Sequence, residues 1–249
     1  MPIADEHHLT TLNAEQVAAF ARDGYLGPFT AFSVEEMAAL REELDREFFP
    51  TGRYMTKHLE NPLIYRLATA PAIIDRVTDL FDGRCVLWQT NFFIKQPGAK
   101  EIPWHQDRNY WPIDPEINIS AWLAIDAVDQ ENACVQLMPG SHTAAYEHTP
   151  PTGDTLEGFT GEVDTRQLTS AREVVDMVLA PGQFFLFTEK LLHHSEPNRS
   201  DRRRAGMVVR LTVPEVRIEP GHVPGVIRLR GDDPYGHNPV LSPPSPHPA

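Results

Sequence analysis

A histidine and an aspartate stand two residues apart in WHQDRNYW, residues 104–111. If this segment is a β-strand, His105 and Asp107 project from the same face and Gln106 from the other, because successive side chains of a strand alternate. Two histidines and one carboxylate on one face of an octahedron bind Fe(II) and leave coordination positions open. The pair therefore offers two of three ligands, and a distant histidine is required.

Two adjacent histidines are candidates for the third ligand. His193 and His194 follow the run QFFLFT (183–188) and precede the run RAGMVVRLTV (204–213), both of which have strand composition. If a closed sheet brings these strands beside His105 and Asp107, a histidine at this position completes the triad. Adjacent strand residues face opposite ways, so only one of the two can serve.

The overall charge narrows the class of partner. Lys and Arg number 22 against 35 Asp and Glu, a formal charge of −13 that disfavours nucleic acids and anionic membranes. We expect neither a signal peptide nor a membrane span, and we expect a cytoplasmic protein with a small-molecule substrate. Cys85 and Cys134 lack the close spacing of a zinc knuckle or a redox pair, so both are predicted to be buried thiols. The oligomeric state stays open.

Amphipathic helices precede the strands. Asn13 with Gln16, and Ser33 with Glu36, have the spacing of capping boxes at the starts of two helices. A third helical pattern covers residues 71–81, with Gly83 near its end.

From Gly83 onward the pattern changes to short runs rich in β-branched and aromatic residues. Eight strands are predicted, at residues 85–96, 103–107, 119–128, 134–139, 174–180, 183–188, 204–213 and 225–230. Such strands without intervening helices predict a mainly β protein, a double-stranded β-helix or jelly roll of the cupin kind, buttressed by the N-terminal helices.

These elements predict a single domain over residues 1–231, with a helical part at 1–83 and a jelly-roll core at 84–231. The long polar segment 143–173 is predicted to be a lid or binding loop. Residues 232–249 are rich in proline and are predicted to form an extended, mobile tail that does not pair as a strand.

Several motifs together resemble the phytanoyl-CoA dioxygenase family of Fe(II)/2-oxoglutarate oxygenases. They are WHQD, ENACVQLMPGSH (131–142), PGQFFLF (181–187), HHSEPNRSDRRR (193–204) and the DGY at 23–25. In that family the second histidine is typically the first residue of a His-Gly-Ser-x-x-Asn motif. An arginine follows eleven residues after that histidine. Aligning Ser195 and Asn198 with that pattern favours His193 as the ligand and selects Arg204 as the arginine. His194 departs from the pattern, because it stands where the family has glycine.

The resemblance implies the cofactors and several roles. His105, Asp107 and His193 would bind Fe(II), with 2-oxoglutarate and O2 at the remaining positions. Arg204 would hold the far carboxylate of 2-oxoglutarate through a bidentate contact that lysine cannot make. Trp122 and Gln89 are predicted to line the cosubstrate pocket. Four residues flanking the presumed mouth are candidates for substrate binding: Lys57, Phe92, Arg108 and Tyr110.

The expected activity is hydroxylation of an unactivated C–H bond of a small metabolite or natural-product intermediate, with release of succinate and CO2. Because related halogenases lack the carboxylate, the intact Asp107 favours an oxygenase outcome over chlorination. Desaturation, cyclisation or epimerisation at the same iron centre remains an alternative. A second alternative is a non-catalytic jelly-roll protein that only binds a ligand.

Overall fold

The computed structural model describes residues 11–168 and 173–245. Three groups of residues lie outside the described ones: residues 1–10 of the predicted helical part, residues 169–172 of the predicted loop and residues 246–249 of the predicted tail. Cys85 and Cys134 are buried free thiols, as predicted. Within the described ranges, no helix combines the length and the apolar character that crossing a membrane requires.

The helices lie in the N-terminal third of the chain. They are α1 (Ala14–Asp23), α2 (Val34–Glu43), α3 (Pro62–Ala68) and α4 (Pro71–Leu80). The predicted capping boxes of α1 and α2 are both present, with the side chains of Asn13 and Ser33 accepting from the N3 backbone. Pro62–Ala68 was not predicted to be a helix, since its apolar run is too short to show a period.

Twelve strands of the described chain build the jelly roll. They are β1 (Tyr25–Thr30), β2 (Cys85–Lys95), β3 (Ile102–His105), β4 (Ile113–Asp114), β5 (Ile119–Ala124), β6 (Val135–Leu137), β7 (Val175–Met177), β8 (Gln183–Thr188), β9 (His193–Ser195), β10 (Arg204–Thr212), β11 (Arg217–Ile218) and β12 (Ile227–Arg230). A six-stranded sheet has the order β1-β8-β5-β10-β2-β12, and a four-stranded sheet has the order β3-β9-β6-β7. The named strands pair antiparallel throughout. The predicted mainly β fold is confirmed.

The central strand β10 is buried on both faces. Ala205, Met207, Val209 and Leu211 belong to the core shared with the helices. Val208 lies on the opposite face of the strand and packs in the separate core between the two sheets. By the alternation of a strand, Arg204, Gly206 and Arg210 share the inner face with Val208. One strand therefore supports the helical layer with one face and supplies polar groups to the barrel interior with the other.

Two predictions about the strands are corrected, one concerning an end and one concerning their number. The strand predicted over 103–107 ends at His105, and Asp107 begins a 3-10 helix that runs to Tyr110. The strands β1, β4, β9 and β11 were not predicted. The described part of the tail forms no strand, but it contacts the domain: Val240 forms an isolated parallel bridge with Val226, and the Asn238 side chain donates to the Val216 carbonyl.

Candidate active site

Two histidines and an aspartate converge inside the barrel. Their ligand atoms, from His105, Asp107 and His193, all lie within 4.8 Å of one another, and all three side chains are buried. The Oδ1 atom of Asp107 is 3.7 Å from Nε2 of His105 and 3.9 Å from Nε2 of His193. The structure thus brings together the three residues whose spacing and motif register suggested a metal site.

Strand pairing produces this convergence. His105 on β3 lies directly opposite His193 on the antiparallel strand β9. Gln106 keeps an extended backbone, so Asp107 still faces the same way as His105 although it belongs to a 3-10 helix. The Gln106 side chain points away and donates to the carbonyls of Ala144 and Lys190. These bonds fix the backbone between the two ligands.

Backbone carbonyls orient both imidazoles. Nδ1–H of His105 donates to the Pro103 carbonyl at 2.7 Å, and Nδ1–H of His193 donates to the Leu191 carbonyl at 2.9 Å. A carbonyl can only accept, so each ring carries its proton on Nδ1 and leaves Nε2 free for a metal ion. Both Nε2 atoms lie beside the Asp107 carboxylate.

Burial and neighbouring charge keep Asp107 and His193 in their metal-binding protonation states. Burial raises the pKa of Asp107, but its polar and positively charged neighbours, Arg210 among them, outweigh this effect and lower the pKa to about 2. Burial lowers the pKa of His193 to about 4, so its imidazole is neutral. An anionic carboxylate beside neutral imidazole is what a divalent cation requires.

Arg204 is a buried cation that pairs with no carboxylate in the described part of the chain. Its side chain is 1% exposed, and its Nε and Nη2 atoms, which form one edge of the guanidinium, donate no hydrogen bond to the described residues. Burial lowers its pKa to about 10. The guanidinium lies 5.5 Å from the centre of the Trp122 ring, in the cavity that also contains the triad. Ser195 adds a buried hydroxyl, also unpartnered, to the same cavity.

These residues fit Fe(II) and 2-oxoglutarate. The triad offers one carboxylate and two imidazole nitrogens, the donor set of Fe(II) oxygenases that keep positions open for other ligands. Arg204 lines the same cavity and offers a carboxylate the Nε and Nη2 edge of a buried guanidinium, which is costly to leave unpaired. The hydroxyl of Ser195 can donate to the same carboxylate.

The cavity that contains the triad, called the triad cavity below, has an apolar wall. Its apolar residues are Phe93, Ile102, Trp122, Val135, Phe159, Phe187 and Val208. A second cavity of about 280 Å³, called the outer cavity, shares Phe93, Asp107, Phe159 and Arg210 with it. The two cavities therefore meet beside Asp107 and Arg210. The triad cavity also includes Arg204, whereas exposed residues such as Met55 and Glu157 line the outer cavity.

The two residues predicted to line the cosubstrate pocket lie in different places. Trp122 lines the triad cavity. Gln89 lines the outer cavity instead, and its side-chain oxygen accepts from Nη1 of Arg210. Gln89 therefore positions a second buried arginine.

Of the four predicted substrate-binding residues, only Tyr110 lines the outer cavity, where its hydroxyl donates to the Gly161 carbonyl. The placement predicted for Phe92 is wrong: it packs against Phe48 and Phe49 in the helical core, because it lies on the opposite face of β2 from Gln89. Phe93, the next residue, lines both cavities.

Arg108 and Lys57 line neither cavity. The Arg108 side chain forms an ion pair with Glu116, and its backbone N–H donates to the Glu189 carbonyl. Lys57 forms an ion pair with Glu60 at 2.6 Å. Both charges are thus engaged by neighbouring carboxylates outside the cavities.

His194 lies beside the site without joining the triad. Its ring stacks on Trp104 with a centroid distance of 4.7 Å, and its Nδ1–H donates to the Ile102 carbonyl. This geometry resolves the choice between the two adjacent histidines in favour of His193.

The fold and the site define a jelly-roll protein with a two-histidine, one-carboxylate centre and a buried arginine beside it. The model of the phytanoyl-CoA dioxygenase (PhyH) family matches residues 20–206, which is more than half of the chain. The chain belongs to this family.

Individual relatives agree with this assignment. The dioxygenase lolE1 of Epichloe uncinata is 34% identical over 113 residues, which cover 45% of this chain and 40% of that protein. The 2-aminoethylphosphonate dioxygenase of uncultured bacterium HF130_AEPn_1 is 25% identical over 68% of this chain and 64% of its own length. The chain thus spans less than two thirds of these curated relatives. The solved structure of CytC3 with Fe(II) and alpha-ketoglutarate has a TM-score of 0.71 at 26% identity and covers 93% of both chains.

Proposed function

We propose that the protein is an Fe(II)- and 2-oxoglutarate-dependent dioxygenase that hydroxylates an unactivated C–H bond of a small organic molecule. The observation that carries this proposal is the placement of Arg204, with its unpartnered edge, in the same cavity as the triad. A metal site alone fits many functions. A metal site beside a buried, unpaired guanidinium fits a cosubstrate that binds the metal at one end and carries a carboxylate at the other.

The chain's own residues have separate tasks in this reaction. A ferrous ion held by the triad supplies the oxidation of a C–H bond by O2, coupled to conversion of 2-oxoglutarate to succinate and CO2. His105, Asp107 and His193 would hold this ion. Arg204 and the Ser195 hydroxyl bind the far carboxylate, and the apolar wall around Trp122 and Phe187 excludes water from the reacting groups.

Metal-ligand variants test this proposal. The wild-type protein, given Fe(II) and 2-oxoglutarate without oxygen, is expected to show a visible charge-transfer absorption, and oxygen is then expected to yield succinate. His105→Ala and Asp107→Ala are expected to lose both signals while keeping a folded circular dichroism spectrum. His237→Ala, which removes an exposed histidine outside the site, serves as the control. Full iron-dependent succinate formation by both metal-ligand variants would contradict the proposal.

Product analysis with a candidate substrate tests the type of reaction. Hydroxylation adds one oxygen atom to the substrate, whereas desaturation removes two hydrogen atoms and epimerisation leaves the mass unchanged. Mass spectrometry of the product therefore separates these outcomes. A product without added oxygen would keep the iron centre and overturn the hydroxylase assignment.

A further inference from the structure

Arg210 is a second buried arginine in the barrel, which neither the metal nor the cosubstrate uses in the reaction described above. It lies six residues after Arg204 on β10, is 6% exposed and lines both cavities. We propose that Arg210 binds a carboxylate of the substrate, so that the enzyme acts on small organic acids with an apolar body. This inference rests on the proposed function, because it concerns the substrate side of the same centre.

The guanidinium of Arg210 is held in place from two sides. Its Nη1 donates to the side-chain oxygen of Gln89, and its Cζ lies 4.6 Å from the centre of the Trp111 ring. A cation fixed by an amide and an aromatic face is preorganised, so binding an anion costs little further side-chain entropy.

The other edge of Arg210 has no protein partner in the described chain. Nε is buried without a hydrogen bond, and no hydrogen bond to Nη2 or ion pair to a carboxylate is formed within residues 11–168 and 173–245. Nε and Nη2 together form the edge that binds a carboxylate through two parallel bonds. This free edge belongs to a residue that lines the outer cavity, where a substrate would enter.

The charge balance of the loaded centre favours a monoanion. Fe(II) and the two guanidiniums bring four positive charges, whereas the Asp107 carboxylate and the 2-oxoglutarate dianion bring three negative ones. One positive charge is left over in a buried site, where an unbalanced charge is costly. Glu157 also lines the outer cavity, but it is exposed, so water screens its charge. A single substrate carboxylate restores neutrality.

The remaining lining indicates the rest of the substrate. Met55, Phe93, Trp111 and Phe159 give the outer cavity a largely apolar and aromatic wall. Its volume of about 280 Å³ is near the lower end of small-molecule sites. The expected ligand is therefore a compact acid whose body is aliphatic or aromatic.

Matched acid and amide pairs test the proposal by binding rather than turnover. The probes are hexanoate with hexanamide, and 3-phenylpropanoate with 3-phenylpropanamide, titrated calorimetrically into protein loaded with Fe(II) and 2-oxoglutarate without oxygen. At least one acid is expected to bind tenfold or more tightly than its amide. Arg210→Gln is expected to remove this preference, Arg210→Lys to keep part of it, and Arg228→Gln, at an exposed position on β12, to leave it unchanged.

Three results would overturn the role of Arg210. They are equal affinity for acid and amide in every pair, a preference that survives Arg210→Gln, and no saturable binding of either acid up to about 10 mM. The wild-type comparison decides even if Arg210→Gln fails to fold. Absence of the charge-transfer absorption would instead count against the proposed function. In that case the same titrations of the ligand-free wild-type and Arg210→Gln proteins test Arg210 by itself.

Discussion

Replacing Arg204 with methionine is expected to change folding stability and cosubstrate affinity in opposite directions. Arg204 is 1% exposed, and burial lowers its pKa well below the usual arginine value, to about 10. One pKa unit corresponds to 1.36 kcal/mol, so the buried charge costs the folded state roughly 3 kcal/mol. Because the folded pKa is depressed, this cost is present at every pH below about 10 and falls as the pH rises from there toward the unfolded value.

Methionine removes the charge and keeps most of the length of the side chain. It loses the contact of the guanidinium with Trp122, which is worth about 1–2 kcal/mol for a desolvated cation. The ligand-free variant is therefore expected to be about 1–2 kcal/mol more stable than the wild type. Urea denaturation near neutral pH measures this difference.

The same change is expected to weaken 2-oxoglutarate binding. Two charge-assisted hydrogen bonds contribute about 1.5–3 kcal/mol each, so their loss lowers the affinity roughly 10²- to 10⁴-fold. Arg204→Lys keeps the charge but not the two-pronged geometry, and is expected to lose about 10- to 100-fold. Calorimetric titration of the anaerobic Fe(II)-loaded protein measures both, with Arg228→Met as an exposed control.

Two results would refute this reasoning. Wild-type affinity for 2-oxoglutarate in Arg204→Met would show that Arg204 does not bind the cosubstrate. A ligand-free Arg204→Met protein that is less stable than the wild type would show that the unpaired guanidinium does not lower the free energy of unfolding.

Two further predictions concern the surroundings of the site. Burial raises the pKa of Glu189 from 4.5 to about 7, so its stabilising contribution is complete below about pH 4.5 and is lost as the pH rises through 7. Glu189→Gln should therefore gain roughly 3 kcal/mol of unfolding free energy relative to the wild type between about pH 4.5 and pH 8 in urea denaturation, and equal pH profiles would contradict this. A Cβ on Gly206 would lie 2.1 Å from Cζ2 of Trp122, so Gly206→Ala must displace the ring. This variant should lose about 1–3 kcal/mol of stability and bind 2-oxoglutarate more weakly; unchanged calorimetric affinity would contradict the prediction.

Helix starts could be predicted because a capping box is a local interaction. The side chains of Asn13 and Ser33 bond to backbone groups three residues away, so the sequence pattern and the structure coincide. The three residues of β9 (His193–Ser195) form no pattern of their own. They become a strand only because β3 and β6 lie on either side, and local sequence does not report such pairing.

The error at Phe92 has a physical cause in the burial of β2. One face of this strand packs on the helices and the other lines the barrel, so hydrophobicity does not alternate along it. Parity alone shows the inconsistency. Gln89 and Phe92 are an odd number of residues apart and cannot share a face, whereas Gln89 and Phe93 can. Both residues were predicted to line the site. Gln89 lies on the inner face of β2, and Phe92 lies on the face that packs on the helices.

The same alternation of faces places the two arginines of β10 on one side of the strand. It thereby sets the direction in which the two carboxylates would bind. Arg204 and Arg210 are six residues apart, so both point inward, and at about 3.4 Å per residue their Cα atoms are separated by roughly 20 Å. The triad cavity and the outer cavity both include Asp107 and Arg210, but only the triad cavity includes Arg204. If each guanidinium binds one carboxylate, the cosubstrate enters with its far end toward Arg204 and the substrate is held from Arg210. One strand would then set the distance between the two bound acids, and the bond to be oxidised would be the one that this distance leaves beside the iron.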